Sequence, residues 1–393
     1  METLIELYDD RPLENVLGVE VFQAKRVIYI CPDSVASDQT IQKNLRAFFR
    51  HRGMKTELIF LRASIYDADA ALHVFQKTLA MYPDVAMDIT GGTDAVLFAS
   101  GLLSAESEIP VFTYSRRRNR FYNIRNAAFA ANVPCDITYS VEDFFLMAGG
   151  SMRPGRVDNA VLGLYLDDIV PFFQLYMRHR KAWTKITTYM QRVSPSTPDG
   201  DFSLDVSGTY TVKGERASRI SAPEEALREM EQIGLILDLQ IREEESVSFR
   251  FRDAQIRTWL RDVGSVLELY VYKACLDTGL FQDVITSAVV DWDRSADRNA
   301  VTNEIDVMCT KGTTPVFISC KTGEVKTEAL NELAILRDRF GGKIARAAIV
   351  TAEKGRTAMR NRASELGIDV IDINDLIAGR LDRQLRNLMR TVK

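Results

Sequence analysis

Cysteine and histidine are both scarce in this sequence. The 393 residues include five cysteines, and no two of them form a CxxC pair. They are Cys31, Cys135, Cys275, Cys309 and Cys320. This distribution excludes a zinc knuckle and argues against a disulfide framework, so we expect a cytoplasmic protein in a reducing compartment. The three histidines, His51, His73 and His179, do not have metal-binding spacing. Any catalysis must therefore rest on carboxylates, on lysine and, where a metal takes part, on a hard ion.

Long hydrophobic runs are also missing. No stretch approaches the roughly 18 apolar residues of a membrane helix, so no membrane association is expected. The first residues, METLIELYDD, are too acidic for a signal peptide. The 50 basic and 54 acidic residues give a net charge of −4, so nucleic acid would have to bind through local basic patches. A hydrophobic fraction of 46% is ordinary for a soluble globular protein, and the length suggests two or three domains.

The first third of the chain alternates between strand and helix patterns. Short apolar runs predict strands at 26–31, 57–61, 84–89 and 109–114, with helical patterns between them. This alternation predicts right-handed crossovers and a mostly parallel sheet. Ligands of such sheets bind at the carboxyl ends of the strands, which places segments 31–37 and 90–94 on one rim.

Segment 90–94, Thr-Gly-Gly-Thr-Asp, is the sharpest feature of that rim. Its glycines would let backbone N–H groups approach a ligand, and the following helix N-terminus favours an anion. A glycine turn with a Thr or Asp helix cap would need no ligand, and this explanation is favoured when the motif is taken alone. The next loop, 115–120, carries four arginines and is either a ligand contact or a solvated hairpin tip.

The middle of the chain has a different character. Glycine and proline at 149–155 mark the best domain boundary, and helical patterns then cover 162–190. A helix at 223–234 followed by strands at 235–241 and 247–252 suggests a winged-helix-like module. Its helix carries four carboxylates that would repel phosphate, namely Glu224, Glu225, Glu229 and Glu231. A spacer or dimerisation role is therefore favoured over DNA binding.

The last third holds the candidate chemistry. A long helix is predicted at 253–277 with Glu268 within its apolar run, and strands at 284–292, 303–310 and 315–320 follow. Strand alternation places Glu304 and Asp306 on one face, and the last of these strands leads into Lys321. Further patterns predict a helix at 327–340 and strands at 345–350 and 369–373.

These carboxylates and the lysine form a specific combination. Carboxylates can hold Mg²⁺ or Mn²⁺ through hard oxygen ligands, and such an ion can polarise a scissile phosphate. Lys321 can orient or help to deprotonate the attacking water, or stabilise charge in the transition state. Each residue alone is explained by an ordinary position on a helix or strand, but their order along the chain favours a site.

The motifs resemble those of a known family. Glu268, the strand Glu304-Ile-Asp306 and the segment Cys320-Lys-Thr-Gly323 resemble the PD-(D/E)xK core of restriction-endonuclease-like nucleases. The Gly-Gly-Thr-Asp turn and the parallel sheet resemble a CRISPR-associated Rossmann fold (CARF) sensor domain. Together they are similar to the ancillary nucleases of type III CRISPR defence that couple these two domains and are activated by cyclic tetra-adenylate.

The resemblance implies an α/β protein of three parts. These are a CARF domain at 1–148, a winged-helix-like module at 149–252 and a nuclease domain at 253–393. It implies catalytic roles for Glu268, Glu304, Asp306 and Lys321, with Mn²⁺ or Mg²⁺ held by Glu268 and Asp306. It also implies a homodimer that binds cyclic tetra-adenylate through Asp33, Ser34, Thr90, Gly91, Gly92, Thr93 and Arg116.

One position departs from the family pattern. The nuclease superfamily usually has an acidic residue or glutamine two residues before the lysine, where this chain has Ser319. A hydroxyl is a poorer metal ligand than a carboxylate, so Glu304, Glu324 or water would complete the shell. We therefore expect weaker metal binding and a preference for Mn²⁺.

Two functions remain open at this point. The chain is either a ligand-activated nuclease acting on DNA, RNA or both, or a cyclic-oligonucleotide-binding regulator with an inactive nuclease-like domain. The presence of Glu268, Asp306 and Lys321 together favours the nuclease. The final helix, which alternates arginine with leucine over 380–390, is either a substrate contact or an amphipathic cap.

Overall fold

The computed structural model describes residues 1–153, 159–197, 200–214, 218–242, 245–291 and 302–390. Its N-terminal part is one seven-stranded sheet with helices on both faces. In chain order its elements are β1 (Thr3–Leu7), α1 (Leu17–Val21), β2 (Arg26–Cys31), α2 (Asp33–Ala36), α3 (Gln39–His51), β3 (Glu57–Arg62), α4 (Ala68–Met81), β4 (Val85–Asp88), α5 (Asp94–Glu106), β5 (Val111–Ser115), β6 (Arg120–Arg125), β7 (Val133–Pro134) and α6 (Val141–Met147).

The strand order of this sheet is β3-β2-β1-β4-β5-β6-β7. The first five strands in that order are parallel, and β6 and β7 add an antiparallel edge. The predicted strands at 26–31, 57–61, 84–89 and 109–114 are all present within two residues of their expected bounds, as is the parallel arrangement. The segment after β2 is not an open loop, because α2 occupies its first half.

The central strand β1 is not predicted by the sequence pattern, because Glu6 interrupts its apolar run. Glu6 is nevertheless fully buried and lies in register with Asp88 of β4. From β1 the chain builds the sheet outward through β2 and β3, and it returns to place β4 on the other side of β1. The carboxyl ends of β1 and β4 therefore form the switch point at which ligands bind in sheets of this kind.

The middle part combines helices with short antiparallel sheets. Its elements are β8 (Ser151–Arg153), α7 (Asn159–Leu162), α8 (Leu166–His179), α9 (Trp183–Val193), β9 (Asp205–Thr209), β10 (Thr211–Lys213), β11 (Arg219–Ser221), α10 (Glu224–Gln232), β12 (Ile236–Arg242) and β13 (Ser246–Phe251). The predicted helix and hairpin are present as α10, β12 and β13, and β9 adds a third strand beside β13. Glu229 of α10 bonds to Arg178 and His179 of α8 at 2.6 and 3.1 Å, so part of the acidic face holds this region together.

The helical run Asn159–Val193 passes a membrane-span test of length and hydropathy alone. Several of its large side chains, among them Phe172, Tyr176 and Trp183, are however buried in the protein core. Phe172 stacks on Trp259, and Tyr176 meets Trp183 edge to face. Burial of this kind is typical of a core helix in a globular protein.

The C-terminal part is a six-stranded mixed sheet with helices on both faces. Its elements are α11 (Ala254–Leu260), α12 (Ser265–Asp277), β14 (Asp283–Asp291), β15 (Thr302–Lys311), β16 (Thr314–Lys321), α13 (Thr327–Gly341), β17 (Arg346–Thr351), α14 (Thr357–Glu365), β18 (Asp369–Ile371), α15 (Ile373–Ile377) and α16 (Leu381–Leu388). The order is β18-β17-β16-β15-β14-β8, in which β16, β17 and β18 are parallel. All the predicted strands are present, although residue 292, the expected end of β14, lies outside the described residues.

The single helix predicted at 253–277 is wrong, because the structure divides it into α11 and α12. The side chain of Asp262 accepts hydrogen bonds from the backbone N–H groups of Gly264 and Ser265 at 3.1 and 2.7 Å. These bonds fix the turn just before α12, whose N-cap residue is Gly264. The break sets the direction of α12 independently and so decides where Glu268 points.

The N-terminal and C-terminal sheets share a continuous apolar core. Phe145 of α6 meets Phe340 of α13 edge to face, with ring centroids 5.0 Å apart. Residues 151–153 of the expected boundary segment form β8, which pairs with β14 at the edge of the C-terminal sheet, while 154–155 lie outside the described residues. The chain therefore crosses to the C-terminal sheet before it forms the middle helices.

Candidate active site and ligand-binding rim

Asp306 of β15 lies at the centre of the C-terminal cluster. Its Oδ2 accepts hydrogen bonds from the Ser319 hydroxyl, the Cys320 backbone N–H and the Lys321 ammonium at 3.0, 2.6 and 3.1 Å. These donors are consecutive residues at the end of β16, which pairs with β15. No described residue donates a hydrogen bond to Asp306 Oδ1, so that oxygen is available to a ligand.

Lys321 is held in its charged form. Burial lowers its pKa, but the neighbouring Asp306 carboxylate outweighs burial and raises the pKa above the ordinary value. The side chain is 39% exposed and can therefore meet a substrate. Because it stays protonated at neutral pH, Lys321 is better suited to stabilising negative charge than to acting as a base.

Glu268 joins this cluster from α12, which packs against β14, β15 and β16. Burial, and then the nearby carboxylates of Asp306, Asp262 and Glu304, raise the pKa of Glu268 to about 8. No hydrogen bond to the Glu268 carboxyl occurs among the described residues. Glu304 precedes Asp306 by two residues and is exposed. The four residues expected from the sequence to be catalytic therefore lie in one region.

The cluster has the donors that a hard divalent cation requires. The described residues contain no group of three His, Cys, Asp or Glu side chains able to hold a metal on their own. Glu268 and Asp306 nevertheless offer oxygens that no described donor occupies, and Mg²⁺ is commonly held by one or two carboxylates together with water. A bound cation would also displace the proton that burial holds on Glu268. Glu324, a further candidate ligand, instead pairs with Arg356 at 2.6 Å.

The Thr90–Thr93 loop follows β4 at the switch point. Gly91 presses on the end of β1, since a Cβ there would lie 2.5 Å from the Leu7 carbonyl oxygen. Gly92 has φ of +100°, a conformation that favours glycine. Thr93 occupies the N-cap position of α5 but makes no capping hydrogen bond, so the simple capping explanation of this motif is incomplete. The Thr93 side chain is exposed at the rim.

Thr90 has partners within the sheet. Its backbone N–H donates to Asp88 Oδ1 at 2.8 Å, its hydroxyl bonds to the same oxygen, and it accepts a hydrogen bond from the Tyr114 N–H at 2.8 Å. Thr90 therefore joins β4 to β5 beneath the loop. Its side chain anchors the loop from below.

The other expected ligand-binding residues lie around the same edge. Asp33 and Ser34 begin α2 after β2, both exposed, and Asp33 lies 3.2 Å from Arg62. Arg116 lies in the turn between β5 and β6 and forms an ion pair with the buried Glu14. The structure therefore brings these residues to one rim, and Arg116 has a partner inside the protein.

Residues 8–11, which follow β1, belong to this rim and were missed from the sequence. Arg11 bonds to Asp9 at 2.6 Å, and a Cβ on Gly91 would lie 2.9 Å from the Asp9 Cβ. The signal was the short run Leu4, Ile5, Leu7 followed by a polar turn. Because Glu6 interrupts this apolar run, the sequence pattern does not predict a strand here.

Two buried carboxyl groups lie directly below the switch point. Glu6 and Asp88 are fully buried cross-strand neighbours, and three of their four oxygens have no hydrogen-bond partner among the described residues. Burial raises the pKa of Asp88 to about 7, against the opposing effect of its hydrogen bonds to Thr90. Burial and then the Asp88 charge raise the pKa of Glu6 well above its usual range. The pair therefore retains protons that exposed carboxylates would lose.

The fold and the cluster together define a protein of two joined α/β parts. The first has a mainly parallel sheet with the rim at its switch point, and the second has a mixed sheet that carries the cluster of Glu268, Asp306 and Lys321. Residues 256–392 match the family model of the Card1-like endonuclease domain, and this match includes Glu268, Asp306 and Lys321. The nuclease resemblance predicted from the sequence is thereby confirmed: residues 256–392 are similar to the Card1-like endonuclease domain.

Two solved structures share the fold of the whole chain. Protein VC1899 from Vibrio cholerae has a TM-score of 0.73 at 17% identity, with 98% of both chains covered. Can2 from Sulfobacillus thermosulfidooxidans, solved in complex with cyclic tetra-adenylate, has a TM-score of 0.72 at 16% identity, with both chains covered completely. No curated protein matches this sequence. At these identities the likeness establishes the common architecture.

Proposed function

We propose that the protein is a metal-dependent nuclease of type III CRISPR defence that cyclic tetra-adenylate switches on. The observation that carries this proposal is the convergence of Asp306, Lys321 and Glu268 in a Card1-like endonuclease domain. The N-terminal rim is the proposed binding site of cyclic tetra-adenylate. Can2, which shares the fold, was solved in complex with that ligand.

The chemistry follows from the residues of the cluster. Glu268 and Asp306 would hold a Mg²⁺ or Mn²⁺ ion, which would supply Lewis-acid chemistry to the scissile phosphate and its leaving oxygen. Ser319 and the Cys320 N–H hold the Asp306 carboxylate in a fixed orientation. Charged Lys321 stabilises the negative charge that develops on the phosphate and orients the attacking water. Glu304, on the same strand, supports the site from its exposed edge.

Activation is proposed to occur in a homodimer. Cyclic tetra-adenylate has two-fold symmetry, so two copies of one rim read it best across an isologous interface. Gly91 and Gly92 would present backbone N–H groups and Thr93 its hydroxyl, while Thr90 anchors the loop. Asp33, Ser34 and Arg116 complete the rim, and Arg116 would first have to leave Glu14.

A cleavage assay tests this function. Plasmid DNA, single-stranded DNA and single-stranded RNA are each incubated with Mn²⁺ or Mg²⁺, with and without cyclic tetra-adenylate. We expect cutting that needs both metal and activator, stops in excess EDTA and is faster with Mn²⁺, because Ser319 replaces a carboxylate. Substrate preference emerges from the same experiment.

The mutant Lys321→Ala is the matched control. It should bind the activator like the wild type and cut nothing. Cutting in excess EDTA would overturn the metal mechanism. A wild type that binds cyclic tetra-adenylate but cuts no substrate would instead be a regulator with an inactive nuclease-like domain.

A further inference from the structure

A groove of about 620 Å³ opens beyond the carboxyl ends of β16 and β17. One wall is formed by segment 323–327, which follows β16, and the other by residues between 351 and 359, which follow β17. Lys321 is the last residue of β16 and pairs in register with Thr351 of β17. The groove therefore begins next to the catalytic cluster and leads away from it.

The charges in this groove do not cancel. Its charged lining residues are Glu324, Lys326, Glu353, Lys354 and Arg356. Glu324 pairs with Arg356 at 2.6 Å, and Glu353 lies 3.8 Å from Arg180. Lys326 and Lys354 are exposed and form neither an ion pair nor a hydrogen bond with any described residue. Two positive charges thus remain uncompensated in a protein whose net charge is −4.

The backbone adds to this positive potential. Helices α13 and α14 both begin at the groove, and neither N-terminus has a side-chain cap. Free N–H groups at helix starts carry partial positive charge. The arginine-rich α16 is less available, because Arg380 and Arg386 bond to Asp375 and Asp382. Its leucines are buried, as expected for a cap over the core.

We propose that this groove binds the phosphodiester backbone of the nucleic-acid substrate on one side of the scissile phosphate. Lys326 and Lys354 contact successive phosphates, and the strand then enters the cluster at Lys321. This inference rests on the proposed nuclease function and deepens it by locating the path of the substrate. Phosphate contacts of this kind position the substrate without reading its sequence.

Charge reversal tests the groove. The double variant Lys326→Glu/Lys354→Glu is compared with the wild type in binding fluorescent single-stranded DNA and RNA of one sequence, in excess EDTA over a range of salt. Affinity at low salt should fall by about tenfold or more for both nucleic acids, and the logarithmic salt slope should fall by about two. In the cleavage assay KM should rise much more than kcat falls, and calorimetric binding of cyclic tetra-adenylate should be unchanged.

A matched control carries the same change of charge elsewhere. Lys55→Glu/Lys77→Glu alters two exposed lysines of the N-terminal part and should retain the wild-type salt slope. The proposal that the groove binds the substrate backbone is overturned if the wild type is active and the groove variant binds and cuts like this control. A loss confined to DNA or to RNA assigns the path to that nucleic acid. A wild type that neither binds nor cuts nucleic acid overturns the proposed function itself.

Discussion

Ser319 takes part in the candidate active site through a hydrogen bond to another side chain of the site. Its hydroxyl donates to the Asp306 carboxylate at 3.0 Å. It therefore orients Asp306, the proposed metal ligand. The Cys320 N–H and Lys321 bind the same oxygen, so Asp306 has three fixed donors and one oxygen left for the reaction.

Substitutions in this group should have graded effects on cleavage. Lys321→Ala or Asp306→Ala should abolish cutting, because each removes a charge that the transition state needs. Ser319→Ala removes one of three hydrogen bonds to Asp306, and a bond to a charged group contributes about 1.5–3 kcal/mol, so kcat should fall about tenfold or more. Initial cleavage rates of the three variants and the wild type test this order of effects. A Lys321→Ala protein that cuts at the wild-type rate would show that the cluster is not the active site.

The buried pair Glu6 and Asp88 predicts a pH dependence of stability. Because folding raises the pKa of Asp88 from 3.8 to about 7, its protonated form contributes stability that is complete below about pH 4 and lost as the pH rises through about 7. Asp88→Asn cannot ionise and its Oδ1 can still accept from Thr90. The variant should therefore gain stability relative to the wild type as the pH rises from 4 to 8, by on the order of 4 kcal/mol.

Urea unfolding at several pH values measures this difference. The expected result is two curves of unfolding free energy against pH that separate progressively between about pH 4 and 7 and stay apart at higher pH. Parallel curves would mean that Asp88 does not retain its proton in the folded protein.

Among the helices, α13 connects the two functional regions. Its N-terminal end lies at the groove beside Lys321, and Arg339 near its C-terminal end lines a cavity of about 490 Å³ beside the β1 loop. Residues just after α13 also adjoin Arg11 and Arg116. This helix thus reaches from the proposed ligand-binding rim to the candidate active site within one chain.

The C-terminal end of α13 should tolerate no side chain at Gly341. A Cβ there would lie 2.4 Å from the Ala345 Cβ and 2.8 Å from the Pro315 Cγ. Gly341→Ala should therefore lower the free energy of unfolding by about 1–3 kcal/mol. Gly101→Ala, in the middle of α5 with nothing within 4 Å, should raise it by up to about 1 kcal/mol. Urea denaturation of both variants tests the pair, and equal effects would contradict the packing at Gly341.

In the whole molecule, the N-terminal part that carries the rim packs directly against the C-terminal part that carries the Asp306 cluster. The two large sheets share an apolar core through α6 and α13, and Val141 N–H also bonds to Asp283 at 2.8 Å. A ligand can bias the active arrangement only by binding it more tightly, so about 100-fold activation requires about 2.7 kcal/mol of differential affinity. The shared core joins the two sheets directly, and the middle module is a second connection through which we expect such a bias to be transmitted.

The proposed dimer predicts a defined stoichiometry. Calorimetry with cyclic tetra-adenylate should give one ligand per two chains, and sedimentation should show a dimer. Gly92→Val/Thr93→Ala should lose binding and activation, because a side chain at Gly92 would lie 2.8 Å from the Leu7 Cβ and the hydroxyl of Thr93 would be missing. One ligand per chain would contradict a shared site.

Sequence patterns alone were sufficient for much of this protein. Local apolar periodicity identified strands such as β2 and β16, and the order of Glu268, Asp306 and Lys321 identified the nuclease domain that the family match confirms. Such features depend on neighbouring residues, which one-dimensional patterns contain. The domain bounds 1–148, 149–252 and 253–393 remain predictions.

Other features were decided only by tertiary structure, because they depend on residues that are distant in sequence. Glu6 is buried because β1 lies between β2 and β4 in the sheet, a pairing with strands that are distant in sequence. The break at Asp262 is different, because its side-chain hydrogen bonds are to the neighbouring residues Gly264 and Ser265, although the apolar pattern over 253–277 hid it. The groove beside Lys321 exists only because parallel pairing brings the segments after β16 and β17 together, and no local pattern contains that pairing.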